Sequence, residues 1–336
     1  MTKFIAIFLV ATLFCVAIYA LNWSKIISLC FGGIANFRFP SVIQSFINAK
    51  YVAFFNISLS EFPPLESYKS LNELFTRGLR KMRNFDKKDN IIISPSDSLV
   101  IESGKVAQGR ALQIKGFSYS VSALLGVNAR DLSPNLYYAN LYLSPRDYHR
   151  YHAPCDMFVE SIVHFTGKLL PVHKKSLNKN QNLFIRNERV VLRARMKNGA
   201  KLYFVAVGAL NVGQIVFYIE PKLQEKSSEK KREFFYKEPK FIRKGEELGM
   251  FKMGSTIVLF VENLRESSGE SSTQNGVPRG SILDEKSGLQ SHEQGNKTDK
   301  RVASLPDLSL KDNALGIEIF KQGEKIRFGE ALFKLN

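Results

Sequence analysis

The chain is organised around one stretch, FKMGSTIVLF at residues 251–260. Its second half is a run of apolar and β-branched residues, a pattern that predicts a buried β-strand. The strand begins at a Gly-Ser step. Gly254 has no Cβ, so a nucleophile can approach its carbonyl carbon, and Ser255 places a hydroxyl beside that carbonyl. The same step also occurs in β-bulges and tight turns, which is the alternative interpretation.

Composition indicates a strand-rich body with a large positive charge. The 336 residues include 26 phenylalanines and 12 tyrosines, and the formal net charge is +17. Such a charge requires an acidic partner, either an anionic lipid surface or a nucleic acid. The sequence contains no zinc-finger spacing and no aromatic RNA-binding strand, so we expect no nucleic acid. An anionic membrane surface is the expected partner.

The N-terminus carries an apolar segment. In residues Phe4–Leu21 the only polar member is Thr12, and the run reaches the lower length limit for spanning a bilayer. A cleaved signal peptide is the alternative, but residues 18–20 make a poor cleavage site. We therefore predict a retained membrane anchor over residues 1–21. The many basic residues downstream favour a cytoplasmic body.

Changes in composition divide the rest of the chain. Residues 22–89 predict a helical, membrane-adjacent region that includes a short helix with Ser70 as N-cap and Glu73 three residues later. Residues 90–262 carry short β-type runs between glycine and proline turns and predict the main body. Residues 263–312 are rich in Ser, Gly, Glu, Asn and Gln and predict a disordered insertion. Residues 313–336 are expected to return as strands that complete the body.

Two similar segments support one continuous body. KGEELGMF at residues 244–251 and QGEKIRFG at residues 322–329 each suggest a strand, a Gly-Glu turn and a strand. The expected fold class is α+β and mostly β: paired hairpins in a barrel-like antiparallel β-sandwich, preceded by the membrane-associated helical region. Residues Lys222–Lys240 are highly charged and predict an exposed basic loop, which either contacts lipid headgroups or is simply solvated.

Reactive side chains are densest in YLSPRDYHRYHAP at residues 142–154. His149 and His152 are three residues apart and would share a face of a helical turn. Together with Asp147 they could bind a metal ion, and they could equally be structural or serve as acid and base. Asp97, in the sequence SPSD, follows a predicted strand and is either a turn-forming residue or a reactive acid.

Taken in order, these motifs resemble those of the phosphatidylserine decarboxylase proenzymes. The resemblance is carried by SPSD at residues 94–97, LQIKG at 112–116 with LLG at 124–126, the run at 142–154, FTGKLLPV at 165–172, NERV at 187–190 and MGST at 253–256. It runs from about residue 70 to 260 and resumes near the C-terminus. The chain has Ser98 and Met253 where the family usually has Gly and Leu, and both departures leave the reacting groups in place.

The resemblance implies self-cleavage between Gly254 and Ser255, which leaves a short α chain that begins with a pyruvoyl group made from Ser255. Asp97 would orient His152, and His152 would take the proton from the Ser255 hydroxyl, as in a catalytic triad. The Ser255 oxygen would attack the Gly254 carbonyl to give an ester, and elimination followed by loss of ammonia would leave the ketone. The covalent pyruvoyl group is then the implied cofactor, and no metal is implied.

The implied reaction is decarboxylation of phosphatidylserine to phosphatidylethanolamine. The pyruvoyl carbonyl would form a Schiff base with the serine headgroup, and His149 would act as general acid toward the carbon that loses carbon dioxide. Either histidine could serve either step, because both lie in one short segment. The expected partners are phosphatidylserine, an anionic membrane and the protein's own α and β chains, with a homodimer possible. The expected location is the cytoplasmic face of a bacterial-type inner membrane.

Two other classes of protein stay open at this point. A membrane-tethered, metal-dependent hydrolase would use His149 and His152 with Asp147, and bound zinc with an uncleaved chain would favour it. A non-enzymatic, membrane-anchored scaffold would use the Gly-Ser-Thr step only as a strand turn. An intact chain that is insensitive to Ser255→Ala would favour the scaffold.

Overall fold

The computed structural model describes residues 28, 30–210, 214–225, 227–252, 255–264, 317–319 and 323–335, with the backbone alone for Ser255 and residues 317–319. The predicted anchor at residues 1–21 lies outside the described residues. So do residues 253 and 254 and residues 265–312 of the predicted insertion.

Strands dominate the described chain. The helices are residues 30–36, α1 (Ser41–Phe55), α2 (Leu71–Phe75), α3 (Val121–Leu125), α4 (Lys174–Leu177) and α5 (Leu183–Arg186). The strands are β1 (Ile91–Ile93), β2 (Ser98–Lys105), β3 (Arg110–Ile114), β4 (Phe117–Ser120), β5 (Leu136–Leu143), β6 (Arg150–His152), β7 (Met157–Phe165), β8 (Arg189–Met196), β9 (Lys201–Gly208), β10 (Gln214–Phe217), β11 (Lys231–Ile242), β12 (Glu247–Lys252), β13 (Ser255–Glu262), β14 (Ile317–Ile319), β15 (Lys325–Ile326) and β16 (Ala331–Leu335).

β13 lies inside an eight-stranded antiparallel sheet, whose strand order is β11-β7-β8-β9-β13-β5-β2-β15. It pairs with β5 on one side and with β9 on the other. Residues Ile257–Val261 are fully buried. A strand buried on both faces is apolar at every position rather than at alternate ones, which explains the run IVLFV. The predicted buried strand is confirmed.

Each face of the large sheet is covered by a further layer. On one side, core residues join it to two three-stranded sheets, β10-β12-β6 and β1-β16-β14. On the other side, core residues join it to the β3–β4 hairpin and to α3 and α5. The molecule is therefore layered and mostly β, as expected from the composition.

The expected barrel-like closure is wrong, because the large sheet stays open between β11 and β15. β11 includes Pro239, which has no N–H to donate, and charged side chains, both typical of a free edge strand. The strand also corrects the second part of the loop predicted over Lys222–Lys240, from Lys231 onward. Its alternate residues Phe234 and Tyr236 pack against the core. The surrounding charged residues obscure this alternation in the sequence.

The region before the sheet is helical, and its predicted cap is confirmed. Ser70 Oγ accepts a hydrogen bond from the backbone N–H of Glu73 at 3.1 Å, which fixes the first turn of α2. None of the helices in the described part of the chain is long and apolar enough to cross a membrane.

The last strands return to the body. β15 pairs with β2, and β16 pairs with β1 and β14. The two similar Gly-Glu segments do not pair with each other: the first runs into β12, which lies between β10 and β6, whereas the second contains β15.

Candidate active site

Several strands of the large sheet bring their ends together on one side of the molecule. β5 ends at Leu143, which pairs with Ser255 at the start of β13, and Ser255 pairs in turn with Gly208 at the end of β9. β2 begins beside β5 at Ser98, directly after Asp97. Neighbouring strands lie about 4.8 Å apart, so the backbone at Ser98 is roughly 10 Å from that of Ser255. We call this side the site end of the sheet.

The segment after β5 carries His149 to the site end. Its turn is held by Asp147, whose Oδ2 accepts hydrogen bonds from the backbone N–H and the hydroxyl of Ser144 at 2.7 and 2.6 Å. The backbone carbonyl of His149 then accepts from the N–H of Phe251 at 3.0 Å. Phe251 is three residues before Gly254 in sequence. His149 therefore lies beside the chain that leads into the Gly-Ser step.

The side chain of His149 is fully buried and has one free ring nitrogen. Its Nδ1 lies 2.8 Å from the carbonyl oxygen of Asp147, so Nδ1 carries the hydrogen and donates. The ring of Phe75, in α2, packs against it with a centroid distance of 3.8 Å. Its Nε2 is buried and has no hydrogen-bond partner among the described residues. Burial lowers the pKa of His149 to about 3, which leaves Nε2 as a lone pair at neutral pH.

A buried arginine supports this geometry. Arg77 donates to the carbonyl oxygens of Arg146 and Asp147 at 2.6 and 3.1 Å, and its guanidinium lies over the ring of Phe62. Burial lowers the pKa of Arg77, and its positive charge in turn lowers the pKa of His149 further. Arg77 thus fixes the turn that holds the His149 ring and disfavours protonation of that ring.

His152 is held by a different set of groups. Its Nδ1 lies 2.9 Å from the carbonyl oxygen of Gly245, and its Nε2 lies 2.9 Å from the hydroxyl of Tyr148. Since a carbonyl only accepts, Nδ1 carries the hydrogen and Nε2 is the basic nitrogen. The ring of Phe328 stacks on the imidazole at 3.8 Å with an interplanar angle of 16°. Burial lowers the pKa of His152.

Asp97 is bound by an arginine rather than by the histidine. Arg83 donates to both of its carboxylate oxygens, at 2.5 and 3.0 Å, and donates to both oxygens of Glu61 as well. The backbone N–H of Phe328 donates to Asp97 Oδ1 at 2.8 Å. Asp97 and His152 both contact Phe328, through its backbone N–H and its ring respectively, but they are not hydrogen-bonded to each other. The orienting role expected for Asp97 stays a prediction.

The helical turn expected around the two histidines is wrong. His152 lies in β6 and pairs with Glu247 of β12, which draws the segment into an extended form. His149 precedes β6, and its ring contacts Asp147 and Phe75, neither of which contacts the ring of His152 in the described structure. Among the residues that the structure describes, no group of three or more His, Cys, Asp or Glu side chains could hold a metal ion.

Several residues of the site were not found from the sequence. Tyr148 lies inside the histidine-rich run and could have been noticed as a hydrogen-bond partner. Arg77 and Arg83 carry no distinguishing signal in a chain with 48 lysines and arginines. Gly245 and Phe328 reach His152 only through long-range packing, which a local pattern does not reveal.

Comparison with known proteins agrees with the motifs. The family model for phosphatidylserine decarboxylase matches residues 71–279. A phosphatidylserine decarboxylase proenzyme from Helicobacter pylori (strain ATCC 700392 / 26695) is 52% identical over 71% of this chain and 90% of the relative. One from Campylobacter jejuni is 42% identical over 71% of this chain and 91% of the relative. A mitochondrial phosphatidylserine decarboxylase proenzyme 1 from Arabidopsis thaliana is 32% identical over 73% of the chain and 67% of the relative. The chain belongs to the phosphatidylserine decarboxylase family.

Proposed function

We propose that the protein cuts itself between Gly254 and Ser255 and uses the resulting pyruvoyl group to decarboxylate phosphatidylserine to phosphatidylethanolamine. The observation that carries the proposal is the position of Ser255, in a chain of this family, at the start of a central strand and at the same end of the sheet as Asp97 and the segment of His149.

His152 is the proposed base for self-cleavage. The carbonyl of Gly245 sets its tautomer, so that Nε2 is available to take the proton from the Ser255 hydroxyl. Burial keeps the ring neutral at neutral pH, which is the form that a base needs. The hydroxyl of Tyr148 occupies Nε2 in the resting chain, and the Ser255 hydroxyl has to replace it there. Release of the Ser255 proton to Nε2 makes the oxygen a nucleophile toward the Gly254 carbonyl.

Asp97 is proposed to orient His152 through the loop on which it lies. The backbone N–H of His152 donates to the carbonyl of Pro95 at 2.9 Å, two residues before Asp97. The double hydrogen bond from Arg83 holds the carboxylate and therefore the loop. Loss of the Asp97 carboxylate would free the loop and leave the charge of Arg83 without one of its two acidic partners.

Once formed, the pyruvoyl group supplies the electron sink for loss of carbon dioxide. The surroundings of Ser255 fit such a group. Thr256, the next residue, is fully buried, and its Oγ1 has no hydrogen-bond partner among the described residues. His149 Nε2 is another such atom in the described part of the site, and so are Ser96 Oγ and Ser98 Oγ on either side of Asp97. A buried polar group without a partner is costly, so atoms of this kind are suited to a group or substrate that pairs with them.

His149 is the proposed proton carrier of the decarboxylation step. Burial lowers the pKa of His149 to about 3, so the ring is neutral before substrate binds and acts as the general acid after it has taken up a proton. The ammonium group of the serine headgroup must lose a proton before its nitrogen can react, and the negative carboxylate of the bound headgroup would raise the pKa of His149 so that Nε2 can accept that proton. The protonated ring then donates it to the carbon that has lost carbon dioxide. Each proton taken from the amine is thus returned to carbon, and the apolar ring of Phe75 keeps bulk water away.

The helix α1 is the proposed contact with the lipid surface. A surface helix usually buries its apolar face, but this helix buries the polar residues Gln44 and Asn48 against the body. Its apolar residues Val42, Phe46 and Phe54 are between 62% and 82% exposed. Asn48 donates to the carbonyl of Tyr68, which ties the polar face to the protein. Large exposed apolar residues on one helix face indicate a non-aqueous neighbour. The net charge of +17 favours an anionic membrane.

The experiment that tests the proposed activity uses anionic vesicles that contain phosphatidylserine labelled at the serine carboxyl carbon. The parent protein should release labelled carbon dioxide and form phosphatidylethanolamine, whereas Ser255→Ala should do neither. Ser227→Ala is the matched control, since Ser227 is exposed just before β11, an edge strand four strands from β13, and it should match the parent. Decarboxylation by the Ser255→Ala protein, or none by a parent protein that has cleaved, would contradict the proposal.

A further inference from the structure

The turn Arg327–Glu330, which we call the C-terminal turn, packs against the residues proposed for self-cleavage. The N–H of Gly329 donates to the carbonyl of Ser94 at 3.1 Å, and the N–H of Ser94 donates to the carbonyl of Glu330 at 2.8 Å. These two bonds attach the turn to the loop that ends in Asp97. Self-cleavage at Ser255 would leave the turn on the α chain and the loop on the β chain.

One residue of this turn touches both Asp97 and His152. Phe328 is 1% exposed, its backbone N–H donates to Asp97 Oδ1 at 2.8 Å, and its ring lies flat on the His152 imidazole at 3.8 Å. Tyr148 covers the other part of the histidine through its hydroxyl and its stacked ring. The imidazole therefore contacts Tyr148, which belongs to its own segment, and Phe328, which comes from the end of the chain, and these two rings also contact each other.

Charge pairs hold the turn in the same place. Arg327 forms an ion pair with Glu61, and Glu61 is also bound by Arg83, which binds Asp97. The hydrogen bonds from Arg83 lower the pKa of Glu61, so it stays ionised. The turn is thus linked to Asp97 both directly, through the Phe328 backbone, and through two arginines and one shared glutamate.

We propose that Phe328 is a positioning residue for self-cleavage, so that the site is complete only after the C-terminal turn has docked. This inference rests on the proposed self-cleavage. It gives Asp97 a second connection to His152, in which the carboxylate fixes the Phe328 backbone and the Phe328 ring fixes the imidazole. It also sets an order of events: a chain that has folded as far as β13 but has not yet docked its last strands stays uncut.

The charge environment of His152 makes the inference measurable. Besides the carbonyl of Gly245, the charged or titratable groups on the elements around it are Tyr148, Arg150, Glu247, Arg83, Asp97 and Arg327. None of them is removed when Phe328 is shortened. Loss of the ring would admit water to the imidazole, and the pKa of His152, which burial lowers, would move up toward its usual value.

The test compares Phe328→Ala with Phe328→Leu and Phe333→Ala in the full chain. Phe333 is the matched control, because it is a fully buried phenylalanine of β16, a few residues further along the same C-terminal segment. Proenzyme is made by short cell-free synthesis, and the fraction cut is followed over time in buffers of different pH. The melting temperature of each variant is measured in a Ser255→Ala background, where the chain stays whole.

Phe328→Ala should cut about tenfold more slowly or worse, because small displacements of a base strongly reduce its rate. The acid side of its pH–rate profile should move to higher pH. Phe328→Leu, which keeps an apolar cover, should stay within about threefold of the parent. Phe333→Ala should lower the melting temperature but leave the acid side of the profile in place.

Equal slowing of Phe328→Ala and Phe333→Ala with an unmoved pH profile would overturn the inference, since it would mean that Phe328 only fills the core. Cleavage of Phe328→Ala at the parent rate would overturn it as well. A parent chain that never cuts would contradict the proposed function itself, which separates that failure from failure of the inference.

Discussion

The neutral, buried state of His149 predicts a specific loss of stability in acid. The perturbation is His149→Gln, made in a Ser255→Ala background so that the protein stays a single chain. Glutamine is polar and does not titrate. In the folded parent the pKa of His149 is about 3, against 6.5 for an ordinary histidine. The unfolded chain therefore takes up this proton first as the pH falls, and stability is lost from about pH 6.5 down to about pH 3.

The size of the effect follows from the two pKa values. At about pH 4.5, a histidine with the ordinary pKa is protonated roughly 100 to 1, whereas the folded His149 remains almost entirely neutral. The corresponding free energy is about 2.7 kcal/mol, and nearly all of it is absent at about pH 7. The parent should therefore lose about 2.5 kcal/mol more than His149→Gln between these two pH values.

Urea unfolding followed by circular dichroism at both pH values gives the two free energies directly. His152 is still present in every variant, so its own contribution cancels in the comparison. Identical pH dependence in the parent and in His149→Gln would refute the reasoning, and with it the claim that His149 enters the reaction as a proton acceptor.

Three further predictions test other parts of the account. Gly245→Ala should slow self-cleavage about tenfold or more in a processing time course. Gly245 has φ +80° and a Cβ there would lie 2.2 Å from the ring of Phe85, so the substitution displaces the carbonyl that binds His152. Processing at the parent rate would argue against a role for that carbonyl in positioning His152. Phe46→Asp with Phe54→Asp should reduce co-sedimentation with anionic vesicles several-fold and leave self-cleavage intact, whereas unchanged sedimentation would exclude α1 as the contact. The cleaved chains should elute together in size exclusion and separate only in denaturant, because β13 of the α chain pairs with β5 and β9 of the β chain. Separation in native buffer would contradict this sheet order.

Local patterns predicted the strands that lie in the middle of the sheet. β13 and β9 are nearly continuous apolar or β-branched runs, and burial on both faces is what produces such runs, whereas β8 carries three arginines among its apolar residues. β11 was taken for a loop because its exposed side carries the charges of an edge strand. The open sheet was taken for a barrel because strand order depends on long-range pairing, and hairpin signals describe only neighbouring strands.

The reactive residues could be selected from the sequence, but their electrostatics could not. The motifs indicated Asp97, His149, His152 and Ser255 as the residues to examine. The low pKa of His149 depends on contacts with α2 and Arg77, which lie more than 70 residues earlier in the chain. The pairing of Asp97 with Arg83 is of the same kind, because neither residue has a local signal that selects the other.

The central claim is self-cleavage at Gly254–Ser255, and the intact mass of the purified protein tests it most directly. The account predicts two fragments, of which the smaller begins at position 255 and is lighter by one ammonia than a chain with a free serine terminus. Ser255→Ala should give one full-length mass. A single full-length mass for the parent, or a smaller fragment that begins with unmodified serine, would contradict the account.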